Sequence, residues 1–416
     1  MDVFNKYESN VRSYIRSFPA VFEFAKGSTL TDENGRDYID FFSGAGAVNY
    51  GHNNDYIKEK LIRYLSEDRI LHSLDMGATA KREFIEFYEE NILKPRGFDY
   101  KIQFPGPTGA NAVEAALKIA RKATGRTGIF ALMGAFHGMT LGSLACTTDA
   151  DSRAGAGIDL SGVTHLPAPY MFPEMDTLKY YETLLTDDHS GVAKPAAFII
   201  EAVQVDGGVY PLPAEWLQGV RALCDKYGIL MIIDDIQAGA DRCGRYFSFE
   251  YAGIVPDIVT VSKSAGGYGL PFAMTLMKPE IDVLKPGEHT GTFRGNQLAF
   301  VAAKAGIEYY LANDMDNEVC RKGALVREFL EKEIAPLDSR LQIRGIGLLW
   351  GIDFNAMPDP EISRTVMQKC FANCLVAERA GRGNNVLKIM PPLVIEDAQL
   401  LQGLEILRNV MKEVLA

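Results

Sequence analysis

Positive charge is in short supply. The chain has 416 residues, with 43 lysines and arginines against 54 aspartates and glutamates, a formal net charge of −11. An acidic chain repels a phosphate backbone, so no nucleic-acid partner is expected. Long apolar runs are also missing. None approaches the roughly 18 residues of a membrane span, so no membrane partner is expected. Cysteine is sparse, with six widely spaced residues. That spacing makes no disulfide framework and fits a reducing cytoplasm, the expected location. Cys370 and Cys374 lack a second pair and read as core residues. The six histidines show no H-E-x-x-H spacing, so no metal site is expected. The opening stretch from Met1 to Arg16 mixes both charge signs without an apolar centre, which does not read as a secretory signal. Walker A is absent, and Gly44-Ala-Gly46 lacks the third glycine of a dinucleotide fingerprint.

What remains is an ordinary globular composition, 47% hydrophobic and 23% charged. Glycine is the one excess, at 39 residues. The glycines gather in islands at Gly44–Gly51, Gly106–Gly109, Gly207-Gly208, Gly266–Gly269 and Gly345–Gly351. Any one island reads as a turn. Five beside polar residues point to a site that the backbone approaches closely. Val113, Ala116, Leu117 and Ala120 follow helical spacing, and Trp216–Tyr227 reads as a helix. Between such helices lie the apolar runs 197–200, 229–234, 258–262 and 272–277. This alternation predicts a mostly parallel sheet covered on both faces. After about Gln297 the pattern becomes mostly helical, ending in a stripe of Leu400, Leu404, Leu407 and Met411. The fold class is therefore α/β, a large domain with a smaller one built from both chain ends. The boundaries read as 1–60 for the N-terminal part of the small domain, 61–315 for the large domain and 316–416 for the rest.

Parallel sheets place chemistry at the carboxyl ends of their strands. Three such ends carry polar residues here: Glu201, Asp234-Asp235 and Ser262-Lys263-Ser264. A lysine at the mouth of a buried sheet is desolvated, which lowers its pKa and makes its amine nucleophilic. A carboxylate closing Ile-Leu-Met-Ile-Ile is costly unless a cation meets it. Pyridoxal phosphate needs both groups, a lysine for its aldehyde and a carboxylate for its ring nitrogen. Pro107-Thr108-Gly109-Ala110-Asn111 precedes a helix and offers free N–H groups to a phosphate. A solvated lysine, a structural ion pair and a plain helix cap account for the same residues taken singly.

Taken together, these residues resemble the class III (subgroup II, fold type I) aminotransferases that use pyridoxal 5'-phosphate. Asp234-Asp-Ile-Gln237-Ala-Gly resembles their D-E-V-Q-x-G motif. Ser262-Lys263 matches the Schiff-base lysine, and Phe136-His137-Gly138 the aromatic-His-Gly motif. Gly291-Thr292-Phe293-Arg-Gly-Asn matches the segment whose threonine reaches the neighbouring subunit's phosphate, and Arg344-Gly-Ile-Gly-Leu an R-G-x-G-L turn. The resemblance implies a seven-stranded, mostly parallel sheet and a small α+β domain from both chain ends, with Lys263 and Asp234 as catalytic residues. It implies cofactor contacts from Thr108, Gly109, Ala110, Phe136, His137, Glu201, Gln237 and Thr292. The last of these implies a homodimer, or a dimer of dimers.

Leu74-Asp-Met, Phe136-His-Gly-Met-Thr-Leu-Gly-Ser and Gly287-Glu-His-Thr-Gly-Thr-Phe-Arg-Gly-Asn are similar to the diaminobutyrate–2-oxoglutarate transaminases, which serve ectoine and certain siderophore or antibiotic pathways. The partners so implied are an amino donor and a 2-oxo acid acceptor, with substrate contacts at Phe18, Asp206, Arg294 and Lys388. The parent pattern pairs a glutamate with an arginine that it releases to the substrate α-carboxylate. Here Asp206 and Lys388 stand in those positions. Either they form such a switch, or they are a fixed ion pair and Arg294 or Arg382 grips the carboxylate. The rival activities are another ω-aminotransferase (ornithine, 4-aminobutyrate or a similar amine), a racemase or decarboxylase on the same scaffold, and a cofactor-free binding protein.

Overall fold

The computed structural model describes residues 2–416. Met1, the first residue of the expected N-terminal segment, lies outside them. A seven-stranded sheet forms the centre. Its spatial order is Lys101–Gln103, Ala273–Met277, Ile258–Ser262, Leu230–Asp234, Ala197–Ile200, Ile129–Leu132 and Val163–Leu166. Four of the six neighbouring pairs are parallel. Residues from Ala197 to Ile200 and from Ile258 to Ser262 are buried throughout, as strands covered on both faces must be.

One apolar run departs from the parallel expectation. Ala273–Met277 runs antiparallel to both its neighbours. The reason is the connection. The segment from Lys263 to Phe272 holds only a short 3-10 turn, Lys263–Gly266, and no crossover helix of the kind a parallel return needs.

The helix Gly109–Thr124 packs its Val113, Ala116, Leu117 and Ala120 stripe against the sheet. Thr108 caps it, accepting the Asn111 N–H at 3.3 Å, and Gly125 in the left-handed region ends it. The last helix, Asp397–Leu415, buries Leu400, Leu404, Leu407 and Met411 as its spacing predicts. Cys370 is buried, and Cys374 is half-buried with its sulfur against the Arg36 guanidinium at 2.9 Å.

The region after Gln297 is less helical than its pattern suggests. Gln342–Ile346 and Leu349–Asp353 form a hairpin that extends through Val386–Ile389 to Arg379–Ala380. Gly345, Gly347 and Gly351 interrupt the alternation that would have marked these strands. At Gly345 and Gly351 an added Cβ would come within 2.5 Å of the Trp350 ring and 2.9 Å of Val386. The R-G-x-G-L stretch is thus a strand and its turn. The chain ends meet in another sheet, where Leu375–Val376 lies parallel to Asp37–Asp40. Among the described residues, no helix is long and apolar enough to cross a membrane.

Candidate active site

The strand register brings the polar strand ends together. Asp234 is paired with Thr260 on the neighbouring strand, so Lys263 follows three residues beyond it on the same sheet edge. Glu201 directly follows Ile200, which pairs with Ile233. All three thus stand at the carboxyl edge of the parallel strands.

Asp234 is 5% exposed. One of its carboxylate oxygens meets His137 Nδ1 at 2.7 Å, and the other accepts the Ile236 N–H at 3.2 Å. His137 is itself held by its N–H, which donates to Thr147 Oγ1 at 2.9 Å. Glu201 accepts the Phe136 N–H at 3.0 Å, which ties the Phe136 backbone to the sheet edge. Burial, reinforced by the charge of Asp234, pushes the Glu201 carboxyl well above the usual carboxylate range.

Lys263 takes a left-handed backbone conformation, with φ +50°. For a residue with a long side chain this is a strained position of the kind that gathers at functional sites. Burial pulls its pKa down, against the nearby charge of Asp206. The adjoining Ser264 hydroxyl donates to Gly46 O at 2.7 Å and accepts the Asn49 N–H at 2.9 Å. Ser43, Gly44, Ala45 and Gly46 all have positive φ, so the segment makes one left-handed turn. Such a turn costs on the order of 1 kcal/mol per non-glycine residue. Its carbonyls hold site residues in return, for Gln237 Nε2 donates to Ala45 O at 3.2 Å.

The capped helix start lies against this edge. A Cβ on Gly109 would come within 2.9 Å of Ile236, two residues past Asp234. A Cβ on Gly138, at φ +132°, would meet Ser143 Oγ at 2.6 Å and Ala110 Cβ at 3.0 Å. Only glycines let the helix start, the Asp234 loop and the His137 loop approach so closely. The first N–H groups of that helix have no partner within it and present the positive end of its dipole.

Asp206 and Lys388 do meet, at 2.8 Å. A second carboxylate, Glu378, holds the same Nζ at 2.7 Å. Burial pushes the Lys388 ammonium down, but the two carboxylates more than offset it and its pKa stands above the usual lysine value. Burial likewise pushes Asp206 up, yet Lys388 and Lys263 outweigh it and hold the carboxyl below the usual range. Gln237 also reaches Asp206. Glu378 and Tyr14, whose hydroxyl lies against Glu378, were not singled out in the sequence. Glu378 did carry a signal, because it closes the apolar run Leu375-Val-Ala in the way Asp234 closes its own.

Three expected residues make their contacts outside this ion cluster. Phe18 is buried in an aromatic cluster with Phe42 and Phe371. Arg294 is ion-paired with Asp75 and donates to His289 O at 3.0 Å. It lines a cavity of about 660 Å³ beside the edge strand Lys101–Gln103, away from Lys263. Thr292 is exposed at the start of the turn Thr292–Gly295. Arg382 has no carboxylate partner among the described residues. Its guanidinium stands 5.8 Å from the Tyr170 ring.

The family profile described as aminotransferase class-III matches residues 12–411. The chain belongs to the class-III aminotransferases. The cofactor of this aminotransferase is pyridoxal 5'-phosphate. It is similar to the diaminobutyrate–2-oxoglutarate transaminase of Virgibacillus pantothenticus, 48% identical with all of both chains covered. It is similar to that of Bordetella parapertussis, also 48% identical, over 100% of this chain and 96% of the other. Among solved structures it resembles a Bacillus anthracis aminotransferase, with a TM-score of 0.89, 26% identity and 99% and 97% of the two chains covered. The ornithine aminotransferase of Toxoplasma gondii gives 0.86, 26%, 99% and 94%.

Proposed function

We propose that this aminotransferase moves the terminal amino group of L-2,4-diaminobutyrate to 2-oxoglutarate, giving L-aspartate 4-semialdehyde and glutamate. The observation that carries the reading is the ion cluster of Asp206, Lys388 and Glu378 beside Lys263. Both amino donors carry a carboxylate three bonds from the reacting carbon. Glutamate alone carries a second one on that carbon. A site that serves both must therefore offer an ammonium donor near Lys263 whose charge neighbouring carboxylates balance. Lys388 is such a donor, and Asp206 and Glu378 balance it. Full-length similarity to diaminobutyrate–2-oxoglutarate transaminases supports the same substrates.

Pyridoxal phosphate fits the residues present. The desolvated Lys263 amine suits its aldehyde, and the Asp234 carboxylate, oriented by His137, suits a protonated ring nitrogen. Phe136, Gln237 and Glu201 would border the ring, and Thr108, Gly109 and Ala110 would offer its phosphate an anion site at a helix start. The bound cofactor supplies an electron-accepting ring that carries the amino group between the two half-reactions. Lys263 Nζ is placed to take the proton from the donor's reacting carbon and, in the second half-reaction, to deliver one to the acceptor's reacting carbon. His137 holds the Asp234 carboxylate in place throughout.

A second copy of the chain completes this reading. Thr292 is exposed, and around it lie Leu71, Leu74, Met76 and Phe293, each at least 43% exposed. Such an apolar patch marks a contact surface, and a dimer formed there lets Thr292 reach the partner's phosphate. Residues 1–60 and 316–416 then make the small domain over the large one at 61–315, a division supported by the sheet that joins the two chain ends. The activity of the purified holoprotein with 2-oxoglutarate and a panel of amine donors tests the substrate. Diaminobutyrate should exceed ornithine and 4-aminobutyrate in kcat/KM by at least about tenfold. A higher value for either rival overturns the assignment, and amine loss without glutamate formation would mean a decarboxylase or racemase.

A further inference from the structure

The ion cluster has one more carboxylate than a one-to-one switch requires. Lys388 is fully enclosed, its side chain 1% exposed, and it is shared between Asp206 at 2.8 Å and Glu378 at 2.7 Å. The two anions are not equivalent. The Glu378 side chain is 14% exposed and that of Asp206 33%. Both backbones are fixed, Glu378 O by the Lys388 N–H at 2.7 Å and Asp206 O by the Gly381 N–H at 2.9 Å, so the side chains make the difference: Glu378 is the more enclosed and is also held by the Tyr14 hydroxyl. Asp206 is therefore the carboxylate free to turn outward, and Glu378 the one that stays.

We infer that Glu378 is a specificity-determining residue, which keeps the subsite next to the reacting carbon from ever becoming cationic and so favours substrates whose reacting carbon bears no carboxylate. With Asp206 in place the cluster carries one net negative charge, which attracts an incoming terminal ammonium and repels a carboxylate. With Asp206 turned out, Glu378 still offsets Lys388, and the subsite is neutral. Lys388 then offers glutamate or 2-oxoglutarate a hydrogen bond from an ammonium whose charge is already balanced. A near carboxylate is admitted but weakly held, whereas an isolated cation would hold it firmly. This inference rests on the aminotransferase reading of the site and narrows its substrate selection.

Two probes isolate the near subsite. 2-Oxoglutarate and 4-oxobutanoate (succinic semialdehyde) share the reacting carbonyl and the distal carboxylate, and only the first has a carboxylate on the reacting carbon. Their dissociation constants, measured by calorimetry on the holoprotein without an amino donor, need no turnover. Glu378→Gln keeps the side-chain shape and removes one charge. It should tighten 2-oxoglutarate relative to 4-oxobutanoate by about tenfold, the worth of one partly screened charge at this range. The KM for glutamate should fall by a similar factor, with kcat changed less. Glu378→Ala, a second variant in case the first does not fold, should shift the ratio the same way. An unchanged ratio in a folded variant, or equal shifts for both probes, overturns the role of Glu378. Failure of the wild type to form glutamate from any amine would overturn the aminotransferase reading instead, whatever the ratio.

Discussion

Asp241 is the residue whose replacement should stabilise the protein most clearly. Its side chain is wholly buried, and neither carboxylate oxygen finds a hydrogen-bond partner among the described residues. Its backbone sits at φ +72°. The adjacent Arg242 is committed elsewhere, donating to Leu348 O, Pro391 O and Asn49 Oδ1. Asp316 lies close with a like charge, itself accepting from the Tyr310 hydroxyl at 3.0 Å. Burial first, and Asp316 second, push the Asp241 carboxyl up to about 9. The sign follows from proton uptake. An unfolded aspartate titrates near 4, so between about 4 and 9 the native state holds a proton that the unfolded chain has released. Stability is full below that window and falls by at most about 1.4 kcal/mol per pH unit across it. At pH 7 the loss is at most about 4 kcal/mol. Asp241→Asn removes the titration and also suits the left-handed backbone. For a chain of this size the gain corresponds to about 4 °C at pH 7. Melting of both proteins from pH 5 to pH 9.5 is the assay. The gap should widen steadily as pH rises and level off above about 9. A gap that is constant with pH would refute the reasoning, because only the titration makes it vary.

Lys263→Ala should abolish the visible absorption of the lysine-bound cofactor and multiple turnover, while phosphate contacts still retain cofactor; wild-type turnover would end the assignment. Asp234→Asn should lower kcat by about 100- to 1,000-fold, the usual cost of one pre-placed electrostatic group, with little change in melting temperature. Lys388→Met should strand the Glu378 carboxylate beside a fully enclosed site, while Asp206 can turn outward, and destabilise the fold by about 3 kcal/mol, read in denaturant unfolding. A loss of glutamate binding at unchanged stability would instead mark Lys388 as a substrate clamp outside any ion cluster.

Much of the site was legible because its residues close apolar runs. Asp234 and Lys263 stand out against Ile-Leu-Met-Ile-Ile and Ile-Val-Thr-Val, and a strand that buries both faces can end in a charge only where something meets it. Thr108 was legible for the same local reason, as a cap before a periodic helix. The antiparallel direction of Ala273–Met277 was not, because apolarity reports burial and not direction. The strands Gln342–Ile346 and Leu349–Asp353 were hidden by the glycines that let them pack closely.

The charge balance at the site was the hardest feature to read, because it joins residues from opposite ends of the chain. Tyr14, Asp206, Glu378 and Lys388 share no period and no neighbourhood in the sequence, yet they converge beside Lys263. A lysine where the family pattern has arginine reads, from the sequence, as a weaker grip on a carboxylate. The structure gives the exchange a different sense. Arginine offers a planar fork that suits one carboxylate in two parallel bonds. An ammonium is a compact charge with three N–H groups pointing apart. It can hold Asp206 on one side and Glu378 on the other and keep a third donor in reserve. Lysine is thus the side chain that suits a cation meant to be shared between two anions, and Glu378 is the residue that makes this substitution intelligible.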